Sequence, residues 1–315
     1  MRHDPPPGGA LPPAALALVA HTLWGSYQVL SKLLLTRFGV PPLVFIASGQ
    51  TIAAVIVGFT VRRRLRWSLL ARPALIGLML VAASRAITNI LAVFYTLAIY
   101  VQLINLLAPF AVAILGQLLF REQPPPHTFA AALVATLGAA LVIVGDPLDL
   151  RLDWGPTDGL GVGLAAVSVV TLAFWTLLSR LNTHRHGLEP RTVFLFQASG
   201  VVVVSGISSL VVGQDWGIWT RLPAGGWALF ALIAGAVMLW GNVLQITALS
   251  RLRAAFFSSM MGWRMVVALA LGALLLGERL TSVWQVLGAV TVVVTVTLYV
   301  RQRSERPASV QTSQP

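Results

Sequence analysis

The sequence predicts an all-α polytopic membrane protein with ten transmembrane helices, built as two inverted five-helix repeats. Three observations point there. The 315 residues are 57% hydrophobic and only 10% charged, with a mean hydropathy of +0.82; a soluble domain is about a quarter charged. The apolar residues come in blocks of about 20, the length a helix needs to cross the hydrocarbon core. Finally, short motifs recur at a fixed offset between the two halves of the chain.

Taken in order, residues 1–10 fall in "MRHDPPPGGALPP", a Pro/Gly-rich tail expected to be disordered. The apolar stretch after it is too long, and at His21 too polar, for a cleaved signal peptide. It is read as the first of ten spans: Leu11–Leu35, Pro42–Val61, Pro73–Tyr95, Val101–Phe120, Thr128–Gly145, Gly159–Leu181, Arg191–Val212, Gly226–Leu249, Ala254–Leu276 and Ser282–Val300. Pro42 and Pro73 stand where a helix start tolerates a missing N–H. Residues 11–145 make the first repeat and 159–300 the second. An acidic loop, 146–158, joins them, and 301–315 form a polar cytoplasmic tail.

The net charge of +12 suits basic cytoplasmic loops better than a nucleic-acid partner. With the N-terminus inside, 15 Lys/Arg fall in cytoplasmic segments, 5 in outer segments and 2, Arg85 and Arg264, inside spans. Such a bias places both termini in the cytoplasm, and a bacterial plasma membrane is the expected location.

The repeat rests on "LGQLLFRE" (115–122) and "LGALLLGE" (271–278), identical at five of eight positions with an offset of 156. The same offset lays Asn89 onto Gln245. Five spans is an odd number, so the second copy enters the membrane the other way up. Inverted repeats of this kind place a site near the midplane between the halves.

From Leu11 to Val300 the chain resembles the EamA group of the drug/metabolite transporter superfamily. The residues carrying the resemblance are "LWGSYQVLSKLLL", "LLAPFAVAILGQLLFRE" and "ALSRLRAAFFSSMMGWRMVVALALGALLLGERLTSVWQVLGA". The resemblance implies export or exchange by alternating access through a cavity lined by spans 1, 3, 4, 6, 8 and 9. It names no substrate. Many relatives carry an acid followed by proline in mid-span 9; here those places are Arg264 and Met265, while the first half keeps Ala108-Pro109.

Polar residues inside spans face a bundle interior or a water-filled cavity, because lipid cannot satisfy them. At helical spacing they form stripes: His21, Gly25, Gln28 and Lys32; Arg85, Asn89 and Tyr95; Gln102, Asn105 and Pro109; Ser168, Thr171, Trp175 and Ser179; Asn242 and Gln245. Spans 5 and 10 are nearly devoid of them and are expected at the periphery. Asn89 and Gln245 suit either interhelical hydrogen bonding or ligand contact. His21, with an ordinary pKa near 6.5, is the candidate proton carrier or a satisfied structural residue. Lys32 lies near the outer end, where it can snorkel to water. Trp24 and Trp175 read as cavity wall. Glu122 and Glu278 read as structural, each favouring the positive end of the helix that follows, with Thr281 or Ser282 as an N-cap.

Arg85 and Arg264 are the costly residues, at about 2.5–3.5 kcal/mol each near the bilayer centre on insertion scales. The ten acids all map to tails, loops or span ends. Either the arginines bond carbonyls and water and stack on tryptophans such as Trp240 and Trp263, or they face the cavity and bind an anionic group of the substrate. The second reading gives a secondary transporter of small metabolites, an exporter of carboxylate-bearing solutes such as amino acids, with Gln28, Gln102, Asn105, Asn242 and Trp175 as further contacts. The alternatives are a multidrug efflux permease and a membrane scaffold or receptor. Nothing points to an enzyme: there is no "HExxH", no "GxSxG" elbow and no glycine-rich phosphate loop. With no Cys and no clustered His, no metal or other cofactor is expected. The partners expected are a small-molecule substrate, the bilayer and a proton gradient in the coupled case.

Overall fold

The computed structural model describes residues 13–62, 72–121, 127–145, 155–185, 187–242, 244–245 and 261–304. Among them the chain is helical throughout, with no strand. The elements are α1 (Pro13–Arg37), α2 (Pro42–Val61), α3 (Pro73–Tyr95), α4 (Ala98–Asn105), α5 (Ala108–Phe120), α6 (Thr128–Val144), α7 (Asp158–Arg180), α8 (Pro190–Val211), α9 (Ile218–Arg221), α10 (Ala224–Ala231), α11 (Met261–Leu271) and α12 (Val283–Ser304). Three of them run on as π-helix: α7 through Leu181–Arg185, α10 through Leu232–Gly241 and α11 through Gly272–Leu276.

Among the described residues, six helical stretches are long and apolar enough to cross a membrane, and Thr128–Val144, Gly262–Leu276 and Val283–Tyr299 are shorter apolar helices. Their outward side chains, including Leu118, Leu133, Leu137, Val211 and Leu274, are 60–81% exposed. A continuous apolar exterior of that extent is costly in water and natural in lipid.

Helix limits follow local chemistry. α2 and α3 both start with Pro at the first helical position, where its missing N–H costs nothing. Span 4, expected as one helix, is instead interrupted at Leu106–Leu107. Pro109 is the reason: it has no N–H for the Asn105 carbonyl, and its ring would clash with it. The start of α12 is a capping box. Ser282 Oγ accepts from Trp284 N–H at 3.1 Å, and Gln285 Oε1 accepts from Ser282 N–H at 3.3 Å.

Packing joins the halves. α3 lies against α7 and α8, α2 against α8, α6 against α12, α1 against α11 and the π segment 232–241, and α7 against α4 and α5. The α6–α12 crossing is close because Gly138 and Gly288 meet there; a Cβ on Gly288 would stand 2.5 Å from the Gly138 carbonyl oxygen. Small residues at such crossings let backbones approach. Arg121 (φ 52) and Gly277 (φ 71) both adopt the left-handed conformation that ends their helices, and they are equivalent residues of the 156-residue offset. The N-terminal tail, Glu122, most of the acidic loop and residues 305–315 lie outside the described residues.

Candidate functional site

A cavity of about 70 Å³ opens where α1, α3, α4, α7 and α11 converge. Its wall is Trp24, Tyr27 and Gln28 from α1, Arg85 and Asn89 from α3, Gln102, Asn105 and Leu106 from α4, Leu172 from α7 and Arg264 from α11. Residues three and four apart on a helix share a face, which is how 24, 27 and 28, or 85 and 89, arrive together. The α4–α5 break falls at this wall. Leu106 belongs to the interruption, and the Asn105 carbonyl is the one released by Pro109.

The amides are organised around Asn89. Its Oδ1 accepts from Gln28 Nε2 at 3.3 Å, Asn105 Nδ2 at 3.0 Å and Ser168 Oγ at 3.5 Å, and its Nδ2 donates to Gln28 Oε1 at 3.3 Å. One side chain thus ties α1, α3, α4 and α7. Gln102 is buried with its side chain on the cavity.

Both intramembrane arginines reach the same cavity. The Arg85 guanidinium carbon lies 5.1 Å from the ring centre of Trp175, whose indole N–H donates to Gln197 Oε1 at 2.7 Å. The Arg264 guanidinium carbon lies 5.9 Å from the ring centre of Trp24, and its Nε–H donates to His21 Nδ1 at 2.8 Å. Cation–π contacts of this kind contribute about 0.5–2 kcal/mol. Among the described residues neither guanidinium has a carboxylate within ion-pair distance; the ion pairs are Lys32–Glu278 and Arg221–Asp215. Among the described residues the cavity wall therefore carries two positive charges, six polar neutral side chains and two leucines, with no acid.

Residues 11–144 match the model of the EamA-like transporter family. That match makes the first part of the chain similar to EamA-like transporters of the drug/metabolite transporter superfamily. Together with the apolar helices, the match supports a multi-pass integral membrane protein. A solved structure described only as "Crystal structure of protein" superposes with a TM-score of 0.60 at 17% identity, over 93% of this chain and 99% of that one; at that identity the likeness concerns the fold alone. No curated protein matches the chain.

Several expected site residues do not line this cavity. Asn242 bends back to its own helix, donating to the Met238 carbonyl at 2.5 Å, and neither it nor Gln245 lines the cavity. Trp175 supports Arg85 from behind rather than lining the wall. Trp240 and Trp263 are 57% and 41% exposed, and the arginines stack on Trp24 and Trp175 instead. Trp263 adjoins Arg264 in sequence, so it points about 100° away from it around the helix. His21 is fully buried behind Arg264 and outside the wall. Tyr27 and Leu172 are wall residues absent from the polar stripes. Tyr27 follows Trp24 by three positions, and that spacing is the signal that was available. Glu122 lies outside the described residues.

Glu278 caps a different helix from the one expected. Gly277 turns the chain, and the carboxylate reaches the start of α4 in the other half. Oε1 accepts from Ala98 N–H at 3.1 Å, and Oε2 accepts from Ile99 N–H at 3.2 Å. A carboxylate on the positive end of a helix is the favourable arrangement. Lys32 does not snorkel. Its ammonium lies 2.9 Å from Glu278 Oε1 and donates to the Thr96 carbonyl at 2.6 Å. Thr96 Oγ1 in turn donates to Asp158 Oδ1 at 2.6 Å. This latch ties α1, α4, α7 and the end of α11 about one helical turn beyond the wall residues Gln28 and Gln102.

Proposed function

We propose that the chain is a secondary transporter that exports carboxylate-bearing metabolites, amino acids among them, by alternating access. The observation that carries this is the pair of guanidiniums on one cavity whose wall has no acid. Arginine presents a planar fork suited to carboxylate. In a cavity walled by helices its attraction for an anion is screened far less than in bulk water. A lipophilic cation would meet two like charges, which speaks against the multidrug reading. Export is the direction that the resemblance implies.

Alternating access is supported by the size of the cavity. At about 70 Å³ it is well below the roughly 300–1,000 Å³ of ordinary ligand pockets, so a metabolite enters only when helices part. The latch of Lys32, Glu278 and the α4 N-terminus joins helices of both halves and is a contact that such parting would break. The inverted ten-span arrangement is supported by the packing pairs. Exchanging span 1 with 6, 2 with 7, 3 with 8, 4 with 9 and 5 with 10 maps α2–α8 and α6–α12 onto themselves. The same exchange carries α3–α7 onto α1 with the π segment 232–241, and α1–α11 onto α7 with α4 and α5. Arg121 and Gly277 obey the same offset.

A ligand that binds only the folded protein stabilises it by about 2.7 kcal/mol at a hundred times its Kd. Thermal unfolding of purified protein in acetate, succinate, L-aspartate, L-glutamate, L-lysine and tetramethylammonium reads that effect directly. The expected result is stabilisation by the anionic members, reduced in Arg85→Gln and Arg264→Gln. Stabilisation by the cations alone would reject the proposal.

A further inference from the structure

His21 sits one turn before Gly25 on α1, fully buried and off the cavity wall. It nonetheless makes the hydrogen bond that fixes a wall residue. Its Nδ1 accepts the Arg264 Nε–H at 2.8 Å, which requires that nitrogen to be unprotonated. The rest of the α1 face completes a cradle. Trp24 lays its ring against the guanidinium. Gly25 admits the α11 backbone, because a Cβ there would stand 2.8 Å from the Arg264 carbonyl oxygen. Gln28 follows at the same spacing and belongs to the wall.

A guanidinium has five N–H donors. With Nε–H given to His21, the terminal NH2 groups remain for the cavity. Left unfixed, an arginine loses its ligand-bound geometry among its many rotamers, and ordering it on binding costs affinity. We infer that His21 is the positioning residue of the anion site: a neutral imidazole whose Nδ1 orients Arg264 so that its terminal nitrogens face the substrate, thereby setting anion affinity without touching the anion. This rests on the anion reading of the cavity and adds a role for His21 that differs from carrying a proton.

The test separates the two claims. The probe is whichever of acetate, succinate, L-aspartate and L-glutamate binds the purified protein most tightly, with Kd measured for wild type, Arg264→Gln, His21→Leu and His21→Asn. Asn places an acceptor oxygen close to the position of Nδ1, whereas Leu has none. The expected result is a Kd raised tenfold or more by His21→Leu, at least as much by Arg264→Gln, and within threefold of wild type for His21→Asn. If Arg264→Gln weakens binding and His21→Leu does not, the positioning role is overturned and the anion site stands. If Arg264→Gln leaves binding intact, or none of the four anions binds, the anion site itself fails. Nitrogen NMR of histidine-labelled protein in bilayers at pH 7 judges the geometry without a ligand. The His21 resonances should report a neutral ring with Nδ1 bare and hydrogen-bonded, a state lost in Arg264→Gln. A proton on Nδ1 would overturn the inference whatever the binding data give.

Discussion

Glu278→Gln tests how the two halves are held together. The carboxylate is 4% exposed, its partner Lys32 is 15% exposed, and two backbone N–H groups at the start of α4 depend on it. Gln keeps one acceptor oxygen, so one cap bond survives. The amide nitrogen then faces the other N–H, donor against donor, and Lys32 loses its counter-charge while keeping the Thr96 carbonyl. Breaking a buried pair from one side costs about 3–5 kcal/mol; the surviving cap bond and the partly exposed ammonium put this case near the low end, about 3 kcal/mol. At roughly 2 °C per kcal/mol for a large chain, unfolding followed by tryptophan fluorescence should shift down by about 6 °C, with a lower folded yield. Lys32→Met should cost less, because Glu278 keeps both N–H donors. The double variant should show a coupling of about 1–3 kcal/mol, as contacting residues do. Wild-type melting of Glu278→Gln would refute the reasoning, and wild-type melting together with lost pH dependence of transport would make Glu278 a coupling site.

Gly25→Ala should lower folded yield and stability by about 1–3 kcal/mol, the usual cost of overpacking, because the added methyl meets α11 backbone; unchanged melting would contradict the α1–α11 contact. Reporter fusions after Gly155 and after Gln302 should read outside and inside respectively, and an outside signal from the second would end the inverted-repeat account. Sealed vesicles without ATP should support transport, and a strict requirement for internal ATP would contradict a secondary mechanism.

Much of the fold was legible because helix starts carry their own chemistry. Pro42 and Pro73 mark the observed N-termini, and α2 and α3 end where expected. The polar stripes on α1, α3 and α4 were legible because apolar helices make each buried amide conspicuous. Gln28, Arg85, Asn89, Gln102, Asn105 and Arg264 all meet at the cavity. Partners across helices were not legible. Trp24 meets Arg264, Trp175 meets Arg85 and Glu278 meets Ala98 through tertiary packing, which residue spacing along one helix does not encode. The break at Leu106–Leu107 has its sequence signal in Pro109, a residue that an apolar pattern alone absorbs into one span. The π-helical stretches at Leu232–Gly241 and Gly272–Leu276 follow no residue pattern that we can identify.

The central claim is that two arginines, with no carboxylate partner among the described residues, select an anionic substrate for transport. The most direct test is counterflow of radiolabelled succinate, L-aspartate, L-glutamate and tetramethylammonium in ATP-free proteoliposomes, comparing wild type with Arg85→Gln/Arg264→Gln at matched folded content. The account predicts exchange of at least one carboxylate by wild type, reduced a hundredfold or more in the double variant, and no exchange of the cation. Robust exchange of tetramethylammonium, indifferent to both substitutions, would contradict it.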